Sequence, residues 1–183
     1  MANVDRPNGF RFVKSSTGAV VPVIRTVGVA DSADIWRGDA IALSSGLATE
    51  AASGDTILGV AIGFGKIDPT TGSVSTMMDP DERTIQYYDD SNSTHTDYVV
   101  FYIPAEGNIF EVQTATALTI AVGATADLLP TNGSTTTGIS AHEITTSSNA
   151  DVEVVQIPDL PDNDNTLVNG RYWVQFATTQ FGQ

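Results

Sequence analysis

There is no cysteine among the 183 residues. That removes disulfides, thiolate nucleophiles and cysteine-ligated zinc together, and leaves packing or subunit association to supply stability. Charge is scarce too. Only 16% of residues are charged, and 8 Lys and Arg face 22 Asp and Glu, for a net charge of −14. Nucleic-acid binding draws much of its affinity from cations that neutralise phosphates, so this balance speaks against nucleic acid as a partner, and against anionic membrane surfaces. No run approaches the roughly 20 apolar residues of a membrane-spanning helix. The opening Met1-Ala2-Asn3-Val4-Asp5-Arg6-Pro7 lacks the apolar stretch of a signal peptide, so a cytosolic origin is expected.

With few charges, the polar surface has to be built from Thr, Ser, Asn and Gly, a composition that favours strands and turns over helices. Short β-like runs follow one another: Val20 to Val29, Asp39 to Leu43, Thr56 to Phe64, Arg83 to Tyr88, Tyr98 to Ile103, Ile109 to Val112, Leu118 to Val122, Val152 to Ile157 and Tyr172 to Phe176. Gly, Asn, Asp, Pro and Ser separate them, and no stretch has a capped helical period. The expected fold is all-β, an antiparallel β-barrel or sandwich. Leu58, Val60, Ile62 and Phe64 alternate with Gly59, Ala61, Gly63 and Gly65, which predicts one core face and one bare face open to a close backbone. Tyr98 to Ile103 is apolar on both faces and predicts a central strand. Ile67 to Glu82 and Pro158 to Gly170 read as long exposed loops.

Chemistry-bearing patterns are weak. Gly59 to Lys66 lacks the spacing and the Ser or Thr of a phosphate loop. Asp159, Asp162, Asp164, Asn163 and Asn165 offer hard oxygen ligands without the Gly and Glu of a calcium-binding EF-hand loop, and read as a solvated acidic loop, as do Asp79, Asp81, Glu82, Asp89 and Asp90. His95 and His142 stand in no nucleophile-elbow context. Arg37-Gly38-Asp39 reads as the turn leading into a strand. No cofactor, metal or catalytic group is expected. A carboxylate pair converging only in the fold, as in a carbohydrate hydrolase, leaves no trace in sequence.

Charge is distributed unevenly. Residues 1–25 carry Arg6, Arg11, Lys14 and Arg25 against Asp5, a net of +3, so the remaining chain holds −14 − 3 = −17. These residues read as an extended basic N-terminal arm on a β-rich body, 26–183, with a division into two lobes near 90–97 left open. Residues 1–17 have no long apolar period and are expected to be loose until a neighbour accepts them, so that their removal leaves a folded body. Arg6, Arg11 and Lys14 suit an acidic protein surface, while Pro7 and Phe10 add shape and burial. In Tyr87-Tyr88 and Tyr172-Trp173, adjacent aromatics point to opposite faces of a strand. Tyr88 and Trp173 are taken as the outward, subunit-contacting members.

The opening Met1-Ala2-Asn3-Val4-Asp5-Arg6-Pro7-Asn8-Gly9-Phe10, with Val13-Lys14-Ser15, resembles that of small head structural proteins of tailed bacteriophages, many of them marine. Arg37-Gly38-Asp39 and Asp55-Thr56-Ile57-Leu58-Gly59-Val60 are similar to the same group. The resemblance covers roughly the first 65 residues. It implies a capsid decoration, or cement, protein, not an enzyme. Such a protein sits on the outer capsid surface of the virion, commonly as a homotrimer, and binds the major capsid protein, with Asp5, Arg6, Pro7, Gly9 and Phe10 as contact candidates. The alternative expectation is a tail-fibre or host-adhesion module that holds glycans.

Overall fold

The computed structural model describes residues 3–6, 8–30, 34–68, 70–76 and 98–180. Pro7, Tyr87, Tyr88, His95, the run Arg83 to Tyr88, the acids between 79 and 90 and the 90–97 boundary lie outside them. Twelve strands are formed among the described residues, and no helix: β1 (Arg11–Ser15), β2 (Arg25–Gly28), β3 (Ala40–Ser44), β4 (Leu47–Glu50), β5 (Ile57–Ile67), β6 (Val74–Thr76), β7 (Tyr98–Pro104), β8 (Asn108–Gln113), β9 (Thr125–Leu129), β10 (Glu143–Thr145), β11 (Val152–Gln156) and β12 (Arg171–Phe176).

They form two antiparallel sheets. The first has the order β1-β8-β12-β11-β9-β10; the second has β2-β7-β5-β3-β4, with β6 on the far end of β5. The arrangement is sandwich-like. A single parallel bridge between Val29 and Ala48 brings the ends of the second sheet together at one point, without closing a barrel.

The main core lies between the sheets, where Val60 and Ile103 of the second meet Phe110, Val154, Tyr172 and Val174 of the first. A smaller core, including Ile41, Leu58, Phe64 and Val100, lies on the other side of the second sheet. β5 therefore buries both faces, not one. Bulges at its pairings with β3 and β7 shift its alternation, so Leu58 and Val60 fall into different cores. The close backbone approach expected at the glycines occurs at Gly59, where a Cβ would lie 2.3 Å from the Ile103 carbonyl oxygen; Gly63 faces open space. β7 is central, between β2 and β5, and buried on both faces apart from half-buried Phe101 and Pro104. Leu118 to Val122 forms no strand.

The N-terminal segment departs from expectation. β1 pairs with β8, Arg11 opposite Glu111 and Phe12 opposite Phe110, across about a hundred residues of sequence. Phe10 is only 2% exposed, its ring 4.9 Å from Phe176, which in turn lies 5.5 Å from Phe110. Further out, Asn3 exchanges hydrogen bonds with the backbone of Asp164 (2.7 Å each way), and the Arg6 N–H donates to Gln113 Oε1. Residues 3–6 and 8–15 are thus a strand and a strap of the first sheet rather than a loose arm. The alternation in Phe10-Arg11-Phe12 was too short to reveal this, because its pairing partner is remote.

Gly9 and Gly38 seat the strap. Both have positive φ, +59° and +100°, and a Cβ on Gly9 would lie 2.3 Å from the Gly38 carbonyl oxygen. That carbonyl accepts the Phe10 N–H at 2.8 Å. Only glycines allow two backbones so near in this conformation. Because Phe10 belongs to the core, Phe10→Ala is expected to cost about 3–5 kcal/mol in denaturant unfolding, and deletion of 1–17 to unfold or severely destabilise the body. A truncated protein with wild-type stability would show that the strap is dispensable.

Candidate contact surface

Alternation along β12 buries Tyr172, Val174 and Phe176 and turns Arg171, Trp173 and Gln175 outward. Trp173 lies opposite Glu111 of β8, and its indole N–H donates to Glu111 Oε2 at 3.2 Å. Glu111 lies opposite Arg11 of β1 on its other side. The Lys14 ammonium stands 5.3 Å from the centre of the Trp173 ring, a cation–π contact. Arg171, opposite Gln113, binds Asp162 and holds that carboxyl below the usual range.

Arg6 completes the group. With Arg11, Arg171, Glu111 and Gln113 it lines a groove of about 80 Å³, and it also lines a broader depression of about 570 Å³ walled by Asn132, Ser134 and Ile139. Four of the 8 basic side chains, Arg6, Arg11, Lys14 and Arg171, therefore share the outer face of the first sheet around one half-buried tryptophan. Among the described residues, the Arg6 and Arg11 guanidinium groups make no hydrogen bond or ion pair.

Of the expected contact residues, Arg6, Arg11, Lys14 and Trp173 are brought together. Asp5 is not among them: it lies near Glu143, whose carboxyl is raised by burial and then by the Asp5 charge. Gly9 and Phe10 are buried and offer no surface in this conformation. Arg171 and Gln113 were not singled out from sequence. The only sign was their outward parity on strands whose pairing is long-range. The acidic loop at 158–170 uses its side chains internally: Asn163 bonds Pro158 and Arg171, and Asp164 caps Thr166.

A second constellation is buried but for one partly exposed member, Glu50. Asp39, Glu50 and His142 are, among the described residues, the one trio able to present metal-ligating atoms to each other. The Ala40 N–H donates to His142 Nδ1 (3.3 Å), so the ring proton sits on Nε2 and donates to Glu50 Oε1 at 2.8 Å, with Asp39 Oδ1 3.4 Å away. Metal-binding histidines normally donate their other N–H to an acceptor. Here the other nitrogen faces a donor, so a cation on Nε2 would demand an imidazolate. The cluster suits a proton instead. Ser140 is adjacent, its Oγ accepting the His142 backbone N–H, and Ser140, His142 and Asp39 are all buried. Asp39 also rules out display of Arg37-Gly38-Asp39, since it is 0% exposed and its Oδ2 accepts the Trp36 N–H at 2.6 Å.

Burial pushes the Asp39 carboxyl up to about 6, against the pull of His142, Ser140 and the Trp36 N–H. The folded state then binds a proton that the unfolded chain, titrating near 3.8, has released. Stability from this group is greatest below pH 4 and falls as pH rises toward 6, by roughly 3 kcal/mol in all. Asp39→Asn keeps the acceptor for Trp36 and should remove this slope, so that the variant gains on the wild type between pH 4 and 7 in urea titrations. A constant difference across that range would show that Asp39 does not take up the proton.

No protein-family model matches the chain, and neither the curated proteins nor the solved structures contain a match.

Proposed function

We propose that this protein is a structural subunit that attaches to a larger protein shell through the outer face of its first sheet. On the resemblance of its N-terminal residues, that shell is a phage head, with the major capsid protein as partner, and the subunit is a decoration or cement protein on the outer capsid surface, not an enzyme. The observation that carries this reading is the gathering of Arg6, Arg11, Lys14 and Arg171 around Trp173 on a molecule of net charge −14. Arg and Trp are the side chains that most often anchor protein interfaces. A cationic face on an acidic body also orients the subunit on approach, directing that face toward carboxylates and the rest of the molecule away from them.

A stable interface of standard size buries about 1,600 Å², and repetition over a symmetric shell multiplies weak contacts through avidity. Reinforcement of the shell would follow from bridging neighbouring capsid subunits. The strap puts Arg6 and Arg11 on this face only while residues 3–6 and 8–15 stay folded, so attachment requires the folded N-terminus.

The test is co-sedimentation with shells that lack the protein. Arg6→Glu combined with Arg11→Glu should lower occupancy at least tenfold while the protein stays folded, its melting temperature lowered only slightly by the new carboxylate opposite Glu111, and Trp173→Ala should weaken it further. Salt should weaken binding only in part, since screening acts on the charges and leaves the apolar contact. Full occupancy by the charge-reversed protein would refute this face as the attachment site. A few copies per particle rather than hundreds would favour the tail-fibre alternative.

A further inference from the structure

Between β1 and β2 the chain runs Ala19-Val20-Val21-Pro22-Val23-Ile24 across the surface. Val20, Val21, Val23 and Ile24 are 74, 78, 67 and 55% exposed. Pro22 between them is half-buried and holds the segment to the body, while the valines on either side of it and Ile24 turn to solvent. Isolated exposed apolar residues need no explanation, whereas a contiguous set of this kind marks an interaction site. From Ser15 to Ile24 no residue is charged, and the charges that bracket the stretch, Lys14 and Arg25, are both cations.

A surface complementary to this one exists on the same molecule. The loop between β11 and β12 exposes Leu160, Leu167 and Val168 among Asp159, Asp162 and Asp164, without a cation between Pro158 and Gly170. Asp162 is engaged with Arg171 and Asp164 with Thr166, while Asp159 is exposed and makes no hydrogen bond or ion pair among the described residues. The two surfaces cannot meet within one copy. The Ser16 N–H binds the Gly107 carbonyl at the start of β8, whereas Asn169 and Gly170 bond Thr114 just past its end. Six residues of β8 at about 3.3 Å each put them some 20 Å apart, at opposite ends of the first sheet.

We infer that copies of this chain associate head to tail, the cation-bracketed apolar segment Val20–Ile24 of one copy seating on the acidic, leucine-bearing loop Pro158–Val168 of the next. Contacts of this heterologous kind close into a ring when the rotation allows and otherwise extend. The contact answers the repulsion between bodies of like charge, because an uncharged segment with cations at its ends meets the carboxylates. It borders the shell-binding face, sharing Lys14 with it and Asp162 beside Arg171, but uses neither Arg6, Arg11 nor Trp173, so a protein carrying Arg6→Glu and Arg11→Glu can still assemble in this way.

Sedimentation velocity of the whole protein and of two variants tests it. Val21→Asp with Val23→Asp spoils the segment; Asp159→Lys with Leu160→Lys spoils the loop. All four positions are exposed, so melting temperatures should be unchanged. The wild type is expected to sediment above monomer mass and each variant as a monomer. An equimolar mixture of the variants is expected to form a dimer and nothing larger, because one intact segment and one intact loop remain. A monomeric wild type, a variant that keeps wild-type mass, or a mixture that stays monomeric would each overturn the inference.

Discussion

The turn from Trp36 to Asp39 is where the fold is fastened. Within four residues it binds the N-terminal strap (Phe10 N–H to the Gly38 carbonyl), the second sheet (Gly38 N–H to the Ala61 carbonyl, Ala61 N–H to the Asp39 carbonyl) and the loop before β10 (Ser140 N–H to the Arg37 carbonyl). The carboxylate that holds the turn, Asp39, also faces His142 across the join between the sheets. Such a junction is sensitive to the smallest additions, because the Gly9 and Gly38 backbones already touch. The basic face depends on it at one remove, since Arg6 and Arg11 flank the glycine that sits there.

Acidity in this protein is partly internal. Asp127 accepts the N–H groups of Ser148, Asn149 and Ala150 together with the Ser148 hydroxyl. Burial would raise its carboxyl, but those donors outweigh it and hold the group below the ordinary range. Asp151 similarly ties Ser53 and Gly54 of the second sheet's loop to Leu128 in the first sheet. These carboxylates do the bracing that disulfides do elsewhere, in a chain without cysteine. Asp39 differs from Asp127 in having too few donors for its charge, so burial lifts its carboxyl.

Much of the architecture was legible from local pattern. Strand-forming runs separated by turn residues indicated an all-β fold, and the double-sided apolarity of Tyr98 to Ile103 placed β7 inside its sheet rather than at an edge. Adjacency required Tyr172 and Trp173 to face opposite ways, but which of them turned outward was decided by the pairing of β12. The strap was misjudged because its evidence is not local: Phe10 and Phe12 gain their meaning only from Phe110 and Phe176, about a hundred residues on. The bulges in β5 were hidden for the same reason, since a register shift belongs to a pair of strands rather than to one.

Composition and short-range order by themselves determined the fold class, the lack of covalent bracing, the acidic balance and the concentration of cations near the start of the chain, for each is a property of neighbouring residues or of their sum. Tertiary structure decided which of those cations share a face, that Arg171 joins them, that Asp39 and His142 meet in the interior, and that an exposed apolar segment lies between β1 and β2. These depend on long-range strand pairing, whose register is set by burial in the finished core and leaves no mark on either strand alone.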